Sequence, residues 1–219
     1  MRRTFGDLAA SLDELELAQI DGALFDVGVS SLQFDRPERG FSLAADGPLD
    51  MRMSGAGPTA YDLLVESSEA ELADIIFQYG EDRAARRIAR AIVQTREANR
   101  LPERTLELAR LIAGVVHVRG KRERIHPATR SFQALRIAVN DELGQLERGL
   151  DGAIARTRPG GRIAVISFHS LEDRIVKARF RSDERVSRVT KKPLQAGDAE
   201  LARNPRSRSA KLRVAERLP

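Results

Sequence analysis

Two places in the chain combine residue types that could do chemistry. In "IDGALFDVGVSS", residues 20–31, an apolar run (Ala23, Leu24, Phe25, Val27) is interrupted by one acid, Asp26, and passes into Gly28, Ser30 and Ser31. In "RIAVISFHSLED", residues 162–173, a second apolar run ends at His169. A carboxylate at a strand's end accepts hydrogen bonds from a polar ligand or complements its positive charge, although it also forms turns. An imidazole in the same position moves protons or completes a turn. Metal chemistry is not expected, because the chain has no cysteine and its three histidines show no paired spacing.

These residues need strands and helices to position them. A short amphipathic helix over 7–17 leads into the strand at residues 20–27, and residues 32–57 read as a long loop rich in Gly, Pro and Asp. The next seventy residues hold no strand candidate. Ser68 and Glu71 form a capping box before an apolar run stopped by Gly80; Ala84, Ile88 and Ile92 mark one further helix, and Leu108, Leu111, Ile112 and Val115 another. Phe132, Leu135, Val139, Leu143, Leu146, Leu150 and Ile154 make one continuous stripe, which predicts a single helix over 129–156. Pro159, Gly160 and Gly161 then turn the chain into a strand at 162–168. Ser170 and Asp173 cap a helix ending near Phe180, and residues 209–218 alternate as a half-buried strand. Alternating strands and helices imply an α/β sheet, whose ligands bind beyond the strands' carboxyl ends. The organisation expected is 1–57 as the first part of this sheet domain, 58–126 as an inserted helical domain, and 127–219 as the second part.

Charge is segregated. Residues 1–56 carry 5 bases and 10 acids, whereas residues 174–219 carry 14 bases and 5 acids. Residues 57–82 hold seven acids and no base, and residues 83–128 hold twelve bases and four acids. Such segregation suits a polyanionic partner, and equally solvated helix faces. No window is long and apolar enough to span a membrane and no secretory leader is evident, so a cytoplasmic location without membrane partners is expected.

Four stretches resemble a known family. "FDVGVSSLQFDRPERGFSLAADGPLDMRM", "HPATRSFQALRIAVNDEL", "RPGGRIAVISFHSLEDRIVK" and "NPRSRSAKLRVAER" occur in order over essentially the whole chain and are similar to the bacterial ribosomal RNA small-subunit methyltransferase H family (RsmH, or MraW). The resemblance implies a class I, Rossmann-like, S-adenosylmethionine-dependent methyltransferase with an inserted helical domain. It implies methylation of N4 of a cytosine in the decoding region of 16S rRNA. By motif matching, Phe5, Asp26 and Gln33 fall on cofactor-contacting positions.

Amino-methyltransferases often carry a polar, proline-rich tetrapeptide after this strand, where the present chain has Gly28, Val29, Ser30 and Ser31. The hydroxyls or backbone of Ser30 and Ser31 are the leading catalytic candidates, followed by His169. His126, amid Arg119, Lys121, Arg122 and Arg124, is expected to grip phosphate, as are Arg130, Arg206 and Arg208; "NPRSRS" reads as extended. Asp50 and Arg52 either line the cleft or anchor a loop, and Asn140 either caps or braces its helix. The family's preceding segment, with a glycine-rich cofactor turn, does not appear in this sequence. A mis-assigned start, a natural truncation or a chosen boundary would each produce that. The strand at 22–27 would then show an open edge, able to pair with a second copy or aggregate, and the competing reading is an inactive relative that retains RNA binding.

Overall fold

The computed structural model describes residues 3–116 and 125–219. The elements run α1 (Leu8–Glu14), β1 (Ile20–Asp26), α2 (Ser31–Phe34), α3 (Ala60–Glu66), α4 (Glu69–Gly80), α5 (Ala85–Glu97), α6 (Thr105–Val116), α7 (Thr129–Asn140) and α8 (Glu142–Arg156), followed by β2 (Thr157–Ser167), α9 (Ser170–Ser182), β3 (Val186–Arg188), α10 (Asp198–Arg203) and β4 (Lys211–Arg217). They form two compact units, Met1–Gly28 with Glu142–Pro219, and Val29–Asp141.

The first unit is a mixed α/β body around a four-stranded sheet of order β1-β2-β4-β3. β1 and β2 run parallel, with Phe25 opposite Val165 and Asp26 opposite Ile166; β4 is antiparallel to both β2 and β3. Among the described residues β1 is an edge strand, and Leu24 on it is 68% exposed. Alternation along β2 buries Ile163 and Val165 against Leu146, Leu150 and Ile154 of α8 and Val176 and Phe180 of α9. Gly149 lets α8 approach: a Cβ there would lie 2.9 Å from both the Phe25 ring and the Phe5 carbonyl oxygen. β2 begins at Thr157, earlier than the turn expected at 159–161. Ile20 pairs with Thr157 and Gly22 with Arg162, so Pro159–Gly161 form a bulge inside the strand, with Gly160 at φ +80°.

The second unit is helical. Its core joins Leu64, Leu72, Ile76, Ile88, Ile92, Leu108, Ile112, Phe132 and Leu135 to Phe41, Leu49 and Met51 of the preceding loop. It therefore takes in residues 29–57 and α7 as well as the 58–126 stretch. α4 starts on the Ser68–Glu71 capping box, with Ser68 N donating to Glu71 Oε2 at 2.8 Å. The loop is not featureless: α2 and a 3-10 turn at Pro37–Arg39 lie within residues 31–39.

The single helix expected over 129–156 is two helices, broken at Asp141 with φ +47°. The stripe survives the break because its halves serve different cores. Phe132 and Leu135 are buried in the helical unit, and Leu146, Leu150 and Ile154 beneath the sheet. At the break, the Asn140 amide accepts from Met53 N at 2.7 Å and donates to Met51 O at 2.7 Å and Arg136 O at 2.8 Å. Two of these bonds tie the helix end to the loop, and the third closes back on α7 itself.

Candidate active site

The parallel pair β1 and β2 presents its carboxyl ends side by side, and Val27 N donates to Ile166 O at 3.1 Å to extend the ladder past Asp26. Asp26 is exposed there, and its carboxylate has no hydrogen-bond or ion-pair partner among the described residues. Neighbouring Phe25 is buried and carries Phe5 edge-on, with ring centroids 5.7 Å apart. The turn bearing Phe5 is fixed by α8: Gln145 Oε1 accepts from Thr4 Oγ1 at 2.7 Å and Gly6 N at 3.1 Å. Phe5 itself stays 37% exposed. Phe5 and Asp26 thus come to one end of one strand, an aromatic surface and an unpaired negative charge.

At the end of β2 the chain caps α9 differently from expectation. His169, not Ser170, is the N-cap, and its Nδ1 accepts from Glu172 N at 3.4 Å. Glu172 Oε2 closes the box, accepting from Phe168 N at 2.7 Å and His169 N at 3.1 Å. Asp173 instead pairs across to β4, with Arg213 Nε 2.7 Å and Lys211 Nζ 3.7 Å away. His169 Nε2 stands 3.1 Å from Glu172 Oε1, buried and without a well-aligned acceptor. Burial pushes the Glu172 carboxyl up, but the imidazole and the two backbone amides outweigh it and hold it below its ordinary range.

Glu142, at the first turn of α8, brings a carboxylate oxygen into the same cluster, the three donor atoms lying within 4.8 Å of one another. This donor set could hold a cation, yet the ring's tautomer argues otherwise. Because Nδ1 accepts from a backbone N–H, the ring proton sits on Nε2, which offers the carboxylates a proton in place of a lone pair. The arrangement suits fixing the orientation of the ring. Glu172 and Glu142 were not singled out by the sequence. The signal for Glu172 was its capping-box spacing from His169, masked by the better-known cap residue Ser170 next door.

The remaining candidates fall in the helical unit or on late segments. Ser30 caps α2, with its N and Oγ donating to Gln33 Oε1 at 3.0 and 3.2 Å, while Gln33 Nε2 donates to Met53 O at 3.4 Å. The Gln33 amide is engaged within its own loop; Ser31 is exposed and its hydroxyl has no partner among the described residues. Arg52 forms a two-pronged pair with Asp50, at 3.0 and 2.8 Å, and also donates to Gly57 O. That bridge holds the Asp50 carboxyl below its ordinary range and flanks Met51, buried at φ +58°. His126 Nδ1 accepts from Ala128 N at 3.2 Å in the turn before α7, and Arg130 reaches Glu81 O at 3.4 Å. Arg119, Lys121, Arg122 and Arg124 lie outside the described residues. Arg206 and Arg208 sit on a 3-10 turn, Pro205–Ser209, not on an extended segment. Ser207 causes the difference: it is buried and its hydroxyl donates to Asn204 O at 2.7 Å, curling the chain.

Comparison with known proteins gives a family. Residues 1–218 match the model of the MraW methylase family. A protein named ribosomal RNA small subunit methyltransferase H from Methylobacterium sp. (strain 4-46) is 53% identical over 97% of this chain and 68% of its own length. Proteins of the same name from Geobacter sulfurreducens and Deinococcus deserti are 53% and 51% identical, over 98% and 100% of this chain and 75% and 72% of their own lengths.

Proposed function

The chain belongs to the MraW methylase family, and from that membership we propose that it methylates N4 of a cytosine in the decoding region of 16S rRNA, with S-adenosylmethionine as donor. The observation that carries the reading is the match over residues 1–218, reinforced by relatives above 50% identity across nearly all of this chain. The sheet order β1-β2-β4-β3, with its last pairings antiparallel, fits one half of a class I, Rossmann-like methyltransferase sheet. The helical unit is then the insertion that recognises substrate.

The residues at the strand ends fit the donor. S-adenosylmethionine brings a methyl group on a positively charged sulfur. The Asp26 carboxylate, without a partner among the described residues, and the part-exposed Phe5 ring supply what a cationic, adenine-bearing molecule needs: a hydrogen-bond acceptor and an apolar surface. Gln33, engaged with Ser30 and Met53, would serve by shaping the loop. Methyl transfer needs the cytosine amine held in line, its hydrogens on fixed acceptors, and a destination for the released proton. We assign the acceptors to the hydroxyls or backbone of Ser30 and Ser31, with His169 as the next candidate. The substrate is a base turned out of its stack, since the amine is otherwise paired or covered.

The test is transfer of labelled methyl from S-adenosylmethionine to small subunits or 16S rRNA lacking the modification, with digestion to nucleosides and mass identification of N4-methylcytidine. That nucleoside is the expected product. A protein that binds such RNA normally but yields no methylated cytidine would establish the inactive, RNA-binding relative instead.

A further inference from the structure

We propose that the outward face of α9 is a docking strip for the sugar-phosphate backbone of RNA, a role that rests on the rRNA reading above. A crevice of about 500 Å³ is lined by Arg174, Lys177, Ala178, Arg181 and Ser182, all on this one helix. Their spacing puts them on a single face, opposite the buried Leu171, Val176 and Phe180.

Charge on α9 is sorted by face. Glu172 is turned to His169, and Asp173 to Arg213 and Lys211. Asp183, just past the helix, takes Arg185 and Arg179, and Arg179 also pairs with Asp151. Among the described residues no acid lines the crevice. Lys177 and Arg181 have no hydrogen-bond or ion-pair partner among the described residues, and both are exposed.

The lining chemistry selects phosphate. Its polar groups are guanidinium, ammonium and hydroxyl donors, and its apolar surface is the Ala178 methyl and the aliphatic stems of the arginine and lysine side chains, so it lacks the aromatic or large branched anchor that a protein partner would use. From Arg174 to Arg181 a helix rises about 10 Å, at ~1.5 Å per residue. That length is enough for the two ends of the strip to meet different phosphates of one strand.

The test is fluorescence anisotropy of the full chain with a decoding-region RNA fragment between ~50 and ~200 mM salt. In K177Q/R181Q we expect low-salt affinity to fall about tenfold and the slope of log affinity against log salt to shrink by about 1.4 to 1.8, that is ~0.7 to 0.9 per lost phosphate contact. K191Q/K192Q removes the same charge elsewhere and should change the slope less. Equal losses in both variants would mean that net charge alone is read, and would overturn the strip. So would an unchanged slope in K177Q/R181Q accompanied by lower thermal stability, which would assign Arg181 to the helix dipole. A variant that binds RNA normally but loses binding to polyglutamate would assign the face to an acidic protein. Methyl transfer by the unaltered chain is scored separately: transfer with an unchanged slope defeats the strip alone, and its absence defeats the underlying reading.

Discussion

His169 Nε2 lies 3.1 Å from Glu172 Oε1, three residues on, and the same carboxylate accepts from the backbone N–H groups of Phe168 and His169. One buried acid therefore fixes both the turn leaving β2 and the imidazole that it presents. Glu172→Gln keeps the shape but puts an amide where an ionised acceptor stood. It should cost roughly 1.5–3 kcal/mol, the range for hydrogen bonds to a charged group.

The pH signature separates charge from shape. With its folded pKa lowered, Glu172 contributes stability that is complete above its ordinary value of 4.5 and lost as pH falls through the folded value. Urea unfolding at a series of acidic pH values should show a shallower acid dependence in Glu172→Gln than in the unaltered chain. Parallel curves would exclude an ionised Glu172.

Asp183 should dominate a lower window. Arg185 hydrogen-bonds it at 2.8 and 2.9 Å and brings its pKa from 3.8 down to about 2, with the side chain only 8% exposed. Its stabilisation, about 2 kcal/mol at ~1.4 kcal/mol per unit, is complete above pH 3.8 and disappears as pH falls through about 2. Asp183→Asn should remove it at neutral pH and flatten that part of the acid transition, measured by circular dichroism.

Asp26→Ala tests the strand-end acid. The exposed carboxylate has no partner to lose among the described residues, so thermal stability should hold within about 0.5 kcal/mol, as for surface substitutions generally. Binding of S-adenosylmethionine by titration calorimetry should weaken roughly tenfold, the equivalent of ~1.4 kcal/mol. Weakened folding with unchanged binding would reverse the assignment.

Asn140→Ala should be among the most damaging single changes in the helical unit. It strands Met53 N and Met51 O together, and each part-buried group left unpaired costs roughly 1–3 kcal/mol. Both tyrosines, Tyr61 and Tyr79, belong to this unit, so near-ultraviolet dichroism reports its melting directly. An unshifted tyrosine transition would show the brace to be dispensable.

Where burial follows a local period, the sequence was readable. The Ser68–Glu71 cap, the α5 face through Ile88 and Ile92, and the first apolar strand are where their patterns predict, and the second covers its predicted run but begins earlier, at Thr157. The pattern misled where one period served two masters, as in the stripe that α7 and α8 divide between separate cores. Short α3, β3 and α10 carry too few residues to show a period at all. At the site, Asp26 and His169 were legible because each ends an apolar run. Glu142 was not, since it meets His169 and Glu172 only through the packing of α8 beside the sheet.

The pairing of Asp26 with Ile166, 140 residues later, also sets a timetable. At about 5–20 residues per second, a ribosome needs roughly 7–28 s to make the intervening chain, and β1 waits that long for β2. Val29–Asp141 is continuous and has its own core, so it can condense meanwhile, while Leu24 and Phe25 remain uncovered. The strand that carries Asp26 is thus complete well before the strand it pairs with. During that interval the nascent protein depends on whatever shields a short apolar strand from its neighbours.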